Sequence, residues 1–144
     1  MRRRLYILTG APGSGKTTIL EHLGAGARTV GEPAREILAE LRSVGSGPDP
    51  SLFVDLLLRR SIEKHEAAER WEEPTVFDRG MPDCVAYAAH LGVEQTPSIR
   101  ACDRYRYHPE VLILDPWEDI YEVDDERKMS FADTLGFHEA ILAA

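Results

Sequence analysis

Residues 10–17 of this 144-residue chain have the composition of a phosphate site. They read GAPGSGKT and match the pattern GxxxxGK[ST] at every required position. Glycines let successive backbone amides turn inward around an anion, and the helix predicted to begin near Lys16 adds its positive amino-terminal dipole. The segment therefore predicts a nucleotide site, with Lys16 on the β- and γ-phosphates and the Thr17 hydroxyl on Mg²⁺. The predicted nucleotide-binding residues are Gly10, Ala11, Pro12, Gly13, Ser14, Gly15, Lys16, Thr17 and Thr18.

Two aspartates end predicted strands and are candidates for the magnesium site. Asp115 follows the hydrophobic run 111–114 and by pattern alone is the better Walker B candidate. Asp78 follows the strand-like residues 75–77 and precedes Arg79. Spacing alone does not choose between the two aspartates.

Length and charge restrict the classes of function. A chain of 144 residues predicts one domain over 1–144, because two halves would each be too small to bury a good core. With 17 basic and 25 acidic side chains, the net charge of −8 argues against non-specific nucleic-acid binding. No apolar run approaches the roughly 18 residues that a membrane span needs. The two cysteines lack metal-site spacing and are expected to be free thiols, which fits a reducing cytoplasm.

Short hydrophobic runs alternate with helical patterns along the chain. Strands are predicted at 5–8, 28–30, 74–78 and 111–114. Helices are predicted at 17–23, from 33 to about 44, and at 51–71, 82–91, 97–107 and 130–144. This alternation predicts a parallel sheet with helices on both faces, a three-layer doubly wound α/β domain. Its ligands are expected beyond the carboxyl ends of the strands.

Five segments, taken in order, resemble those of P-loop kinases of the nucleoside and nucleotide kinase group. They are the phosphate loop, 30–36 (VGEPARE), 77–80 (FDRG), 108–111 (HPEV) and 124–128 (DDERK). The chain is most similar to the nicotinamide-riboside-kinase-like domain of NadR-type proteins and to their AAA-labelled relatives without assigned substrates. The resemblance spans nearly the whole chain and implies the P-loop NTPase fold, with ATP and Mg²⁺ as cofactors.

The resemblance also implies roles for residues outside the phosphate loop. It places Asp78 rather than Asp115 near the metal, and Arg79 at the acceptor or the transferred phosphoryl group. Glu32, in a Glu-Pro pair after the second strand, becomes the candidate general base. Arg127 is expected to close over the phosphates from a lid-like segment at about 115–130. The implied catalytic residues are thus Lys16, Glu32, Asp78, Arg79 and Arg127, and the implied metal residues are Thr17 and Asp78.

Simpler structural interpretations exist for three of these residues. Glu32 can merely favour the start of a helix, and Asp78 can be a strand-end carboxylate paired with Arg79. Arg127 can be a solvated cation near a helix start.

One feature departs from the kinase pattern. Related kinases have a fifth parallel strand and a terminal helix after the helix that here ends at Ala144. Either the sequence is truncated, or this strand is absent or supplied by a partner. The fourth strand would then be an open edge, which invites pairing with a second copy of the chain in a homodimer.

The leading hypothesis is a cytoplasmic kinase that moves the γ-phosphoryl group of ATP to a small hydroxyl acceptor, a nucleoside-like compound. Two alternatives stay open: a nucleotide-dependent binding switch, and an ATPase module of a larger assembly. The guanine-reading NKxD motif that would favour a GTP-dependent switch is absent. The chain also lacks room for the helical subdomain that larger ATPase machines require.

Overall fold

The computed structural model describes residues 4–11, 14–23, 26–45, 49–116 and 131–144, and within them strands alternate with helices. The strands are β1 (Leu5–Gly10), β2 (Arg28–Val30), β3 (Thr75–Asp78) and β4 (Val111–Leu114). The helices are α1 (Lys16–Glu21), α2 (Pro33–Ser43), α3 (Pro50–Ala68), α4 (Met81–Leu91), α5 (Thr96–Arg104) and α6 (Phe131–Ala143). The predicted alternation is confirmed.

The four strands form one parallel sheet in the order β2-β3-β1-β4. Strand β1 is central: Leu8 is in register with Asp78 of β3, and Gly10 with Leu114 of β4. Because the strands are parallel, the segments that follow β1, β2 and β3 all leave from the same edge of the sheet. These segments carry the phosphate loop, Glu32 and Arg79, so the topology gathers the sequence-predicted site at one place.

Several element boundaries differ from the sequence prediction. Strand β1 continues to Gly10, because this residue still pairs with β4. Helix α3 ends at Ala68 instead of Trp71. The chain turns after Ala68, and the Trp71 amide donates a hydrogen bond to the Ala68 carbonyl (3.0 Å). Helix α5 ends at Arg104 instead of Tyr107, because Tyr105 is extended and directs the chain back toward β4. Hydrophobic periodicity does not mark such turns.

The core is built around α4, which packs against α3, α5 and α6. One apolar cluster joins α2, α3 and α4, and a second joins β1, β2 and β3 to the end of α3. A third cluster brings Phe137 and Ile141 of α6 onto Ala86 of α4. Helix α4 begins directly after Arg79 and Gly80, so this packing holds the residues that follow β3 in place.

Strand β4 is an edge of the described sheet, and its residues Val111, Leu112 and Ile113 are exposed. This agrees with the open edge expected from the sequence, while pairing with a second copy stays a prediction. Both cysteines are free thiols; Cys84 is buried and Cys102 is half-buried. None of the helices in the described ranges is long and apolar enough to cross a membrane.

Candidate functional site

Two glycines shape the loop between β1 and α1. Gly10 has a φ of 143°, and a Cβ at this position would lie 2.4 Å from the Leu114 carbonyl oxygen of the neighbouring strand. Gly15 has a φ of 95° and directly precedes α1. Residues with a side chain rarely adopt either conformation, so the backbone requires glycine at positions 10 and 15 of the motif. Ala11 and Ser14 between them are buried.

Lys16 is the first residue of α1, and only 7% of it is exposed. Burial and the nearby charge of Arg79 lower the pKa of Lys16 from its ordinary 10.5 to about 8. The charges of Glu32 and Asp78 act in the opposite direction without restoring the ordinary value. Lys16 is thus a buried cation whose charged form an added anion would stabilise, as expected of a lysine that binds phosphate.

Asp78 ends β3 and is equally buried, with 7% of the residue exposed. Its Oδ1 atom is buried and has no hydrogen-bond partner among the described residues. Burial and the charge of Glu32 raise the pKa of Asp78 from 3.8 to about 6. The Arg79 guanidinium donates its hydrogen bonds to other residues, so Asp78 is not the simple paired carboxylate of the alternative interpretation. An unpartnered carboxylate oxygen in such a place fits a hard cation.

The residues around Asp78 fit Mg²⁺ better than those around Asp115. The side chain of Asp115 is 93% exposed, and its Oδ1 lies 3.6 Å from Nε2 of His138. Thr17 lies exposed in the first turn of α1, next to Lys16. In the described part of the chain no group of three or more His, Cys, Asp or Glu side chains could hold a metal. Mg²⁺ commonly binds one or two protein oxygens together with phosphate oxygens and water, so such a group is not needed.

Arg79 is buried at the centre of the site, with 4% of the residue exposed. Its Nε donates to Oε1 of Glu32 (3.0 Å), and its Nη1 donates to Oδ1 of Asp83 (3.1 Å) and to the Thr9 hydroxyl (3.3 Å). Among the described residues it alone, apart from glycines, has a positive φ, 70°. A non-glycine residue in this conformation is held there by its surroundings. Here the guanidinium donates hydrogen bonds to both carboxylates, and the Arg79 amide donates one to the Leu8 carbonyl (3.0 Å).

Two aromatic rings complete the surroundings of Arg79. The guanidinium carbon lies 5.8 Å from the ring centre of Tyr87 and 5.3 Å from that of Phe137. Burial opposes the charged form, but Tyr87, Glu32 and Asp83 outweigh it and raise the pKa of Arg79. The arginine is therefore permanently charged.

Glu32 precedes α2 and faces this arginine. Its side chain makes no capping hydrogen bond to α2, so the simpler interpretation as a helix-start residue does not describe it. It pairs with Arg79, accepts a hydrogen bond from the Tyr87 hydroxyl (3.4 Å) and lies 3.5 Å from Nε of Arg35. Burial raises the pKa of Glu32, but the charges of Arg79 and Lys16 prevail and lower it overall. Glu32 is consequently ionised at neutral pH.

The segment that carries Glu32 is anchored from α3. Nζ of Lys64 donates to the Gly31 carbonyl (2.9 Å) and pairs with Glu36 in the first turn of α2. Arg60, one turn earlier on α3, also pairs with Glu36 (2.8 Å). These bonds fix the backbone on both sides of Glu32.

Sequence reasoning missed three residues of the site: Asp83, Thr9 and Tyr87. Asp83 is buried and accepts hydrogen bonds from the Thr9 hydroxyl, from Arg79 and from the Gly80 amide (2.7 Å). An acidic residue at the third position of a helix is a recognised capping signal, and Tyr87 lies on the same helix face four residues on. The contact from Asp83 to β1 has no local signal.

The structure brings four of the predicted residues together: Lys16, Glu32, Asp78 and Arg79. Their charges shift the pKa values of Lys16 and Asp78. Thr17 and Thr18 are exposed in the first turn of α1. Pro12, Gly13 and Arg127, with most of the lid-like segment, lie outside the described residues. The roles of all these residues stay predictions.

A family model described as an AAA domain matches residues 5–144. The chain belongs to this AAA-domain family. No curated protein sequence matches it significantly.

Solved structures show the fold of this AAA-domain protein. Thymidylate kinase from Candida albicans is 15% identical with a TM-score of 0.72, over 99% of this chain and 77% of that chain. Thymidylate kinase from Ehrlichia chaffeensis is 17% identical with a TM-score of 0.61, over 96% and 85% of the two chains. A NadR protein in complex with NR is 19% identical with a TM-score of 0.67, over 96% of this chain but only 41% of that chain. The fold is that of the P-loop nucleotide kinases, as the sequence predicted.

Replacing Asp78 should stabilise the ligand-free AAA-domain protein while removing a candidate magnesium ligand. The pKa of about 6 in the folded state exceeds the ordinary 3.8, so stability falls as the pH rises through this interval and the buried carboxylate ionises. Asp78→Asn removes that cost, on the order of 1–3 kcal/mol at about pH 8. Urea unfolding of the variant and the wild type should differ more at about pH 8 than at about pH 5.

The matched control is Asp115→Asn, whose exposed side chain should leave stability unchanged. Nucleotide binding should depend on Mg²⁺ in the wild type and in Asp115→Asn, but not in Asp78→Asn. If Mg²⁺ dependence is lost only in Asp115→Asn, the metal assignment reverses.

Nucleotide affinity should fall above about pH 8, because Lys16 then loses the proton that attracts phosphate. Calorimetric titration with Mg-ADP across this range measures the effect. An affinity that stays constant well above this pH would show that Lys16 does not titrate against the nucleotide.

Proposed function

We propose that this AAA-domain protein is a P-loop kinase that transfers the γ-phosphoryl group of ATP to a hydroxyl group of a small, nucleoside-like acceptor. The observation that carries the proposal is Glu32, an ionised carboxylate whose side chain is only 10% exposed, held beside Arg79 within the electrostatic reach of Lys16. A carboxylate at this place can orient a hydroxyl acceptor and accept its proton, which a kinase uses and nucleotide binding alone does not require.

In this proposal the nucleotide phosphates lie in the loop after β1, against Lys16. Asp78 and Thr17 hold Mg²⁺, which when bound neutralises charge on the β- and γ-phosphate oxygens. Lys16 stabilises the charge that accumulates as the bond from the γ-phosphorus to the ADP oxygen breaks. Arg127 is proposed to close over the phosphates and exclude water.

Glu32 is proposed to bind and orient the acceptor hydroxyl. As the hydroxyl oxygen forms its bond to phosphorus, its proton passes to a carboxylate oxygen of Glu32. The lowered pKa makes Glu32 a weak base. In a loose phosphoryl-transfer transition state there is little bond formation to the incoming oxygen, so orientation matters more than proton removal.

The nucleoside-like character of the acceptor is supported by the similar structures: two are named thymidylate kinases, and one is a NadR protein in complex with NR. The name of the first two contains a phosphate-bearing compound, thymidylate, so they support the nucleoside part of the acceptor and not the hydroxyl group. The acceptor is proposed to lie among Glu32, Arg35, Asp78 and Arg79, between β2, α2 and the end of β3.

The first test measures ADP release from Mg-ATP with and without a panel of ribosides that includes nicotinamide riboside. We expect one riboside to stimulate release, and Lys16→Ala to abolish the stimulation, because the phosphates lose their buried cation. Nucleotide binding without stimulation by any riboside would favour a switch instead.

Glu32→Gln should lower turnover of the stimulating riboside by about 10²-fold, the lower end of the range for general-base loss. The amide keeps the shape of the side chain, and Mg-ADP affinity should change little. The matched control is Glu40→Gln, which alters an exposed carboxylate further along α2 and should leave turnover near that of the wild type. Turnover within twofold of wild type would show that Glu32 is not the base.

A further inference from the structure

Arg79 forms ion pairs with two carboxylates of the protein. Glu32 and Asp83 each accept from its guanidinium, and the cluster of one arginine and two carboxylates carries a net charge of −1. One buried arginine needs only one anionic partner, so the second carboxylate calls for a physical explanation.

Asp83 is buried and accepts three hydrogen bonds from groups of the protein. It is 3% exposed and accepts from the Thr9 hydroxyl, the Gly80 amide and Nη1 of Arg79. These contacts tie the arginine to β1 and to the first turn of α4, on the other side of the guanidinium from Glu32. Asp83 thus fixes the position of Arg79 and at the same time cancels its charge.

The charges of the site residues that the structure describes leave little attraction for a phosphate group on the acceptor. On the nucleotide side, Lys16 and Asp78 are assigned to the phosphates of ATP and to Mg²⁺. On the acceptor side, Arg79 and Arg35 face Glu32 and Asp83, which gives no net charge. A phosphate-bearing acceptor would need cations that are not already paired, because burying an anion without them is unfavourable.

We infer that Asp83 is a specificity-determining residue: by holding Arg79 neutralised, it makes the site select acceptors that present an uncharged hydroxyl over acceptors that present a phosphate. The inference rests on the proposed function and refines its substrate class. It predicts a site that prefers ribosides to their 5′-monophosphates.

The test compares acceptor pairs in the wild type, Asp83→Asn and Asp83→Glu. The probes are nicotinamide riboside against nicotinamide mononucleotide, and thymidine against thymidylate, with ADP release from Mg-ATP as the readout. The wild type should prefer the riboside in kcat/KM. In Asp83→Asn the preference should fall by about 10–100-fold, because Arg79 and Arg35 then face only one carboxylate and carry one net positive charge. Asp83→Glu keeps the negative charge of the side chain and should show the same preference for the riboside as the wild type.

A second measurement does not depend on the folding of a variant. Calorimetry on the wild type saturated with Mg-ADP, which occupies the phosphate loop, compares binding of each riboside with that of its monophosphate. We expect the riboside to bind more tightly.

The outcomes separate the two proposals. Tighter binding or faster turnover of the monophosphates in the wild type would overturn this inference and leave a kinase in place. An unchanged preference in folded Asp83→Asn would overturn the role of Asp83 alone. Failure of every acceptor to bind or to stimulate would overturn the proposed function, and this inference with it.

Discussion

The buried pairing of Arg79 with Glu32 and Asp83 is the interaction on which the rest of the site depends. It connects the residues after β2, the turn after β3 and the first turn of α4 through one guanidinium. A buried arginine that lost both partners would be an uncompensated charge, which is strongly destabilising, whereas the loss of one partner would still leave it paired with a carboxylate. The positive φ of Arg79 is maintained by the same contacts. Backbone geometry and electrostatics at the site are therefore coupled.

The nucleotide side of the site shows the opposite situation, in which charges lack full compensation. Lys16 has a pKa lowered to about 8, and Asp78 has a pKa raised to about 6 with one buried oxygen unpartnered. Each group would regain its ordinary preference for the charged form on meeting a phosphate or a metal ion. Such a preorganised but electrostatically unsatisfied arrangement costs stability in the free protein and favours the ligand.

The phosphate loop and the parallel α/β sheet could be predicted from the sequence because both have local signals. The loop has fixed residue types at fixed spacing, and hydrophobic runs alternate with helical patterns. The strand-end pattern makes Asp78 one of two metal candidates, and only the resemblance selects it. Glu32 and Arg79 follow only from the resemblance, since nothing local shows that the ends of β2 and β3 converge. Asp83 was missed because its decisive partners, Thr9 and Arg79, meet it only once β1 and α4 have packed. The ends of α3 and α5 were misplaced because turns such as that at Tyr105 are set by tertiary packing.

A kinase transfers the γ-phosphoryl group of ATP to a hydroxyl group, whereas an ATPase transfers it to water. Phosphorus NMR of the reaction mixture distinguishes the two products directly. The protein would be incubated with Mg-ATP and the riboside that best stimulates ADP release. The predicted result is a new phosphomonoester resonance that grows in step with ADP, with little inorganic phosphate. Inorganic phosphate formed in step with ADP, with no phosphomonoester, would contradict the central claim and identify an ATPase.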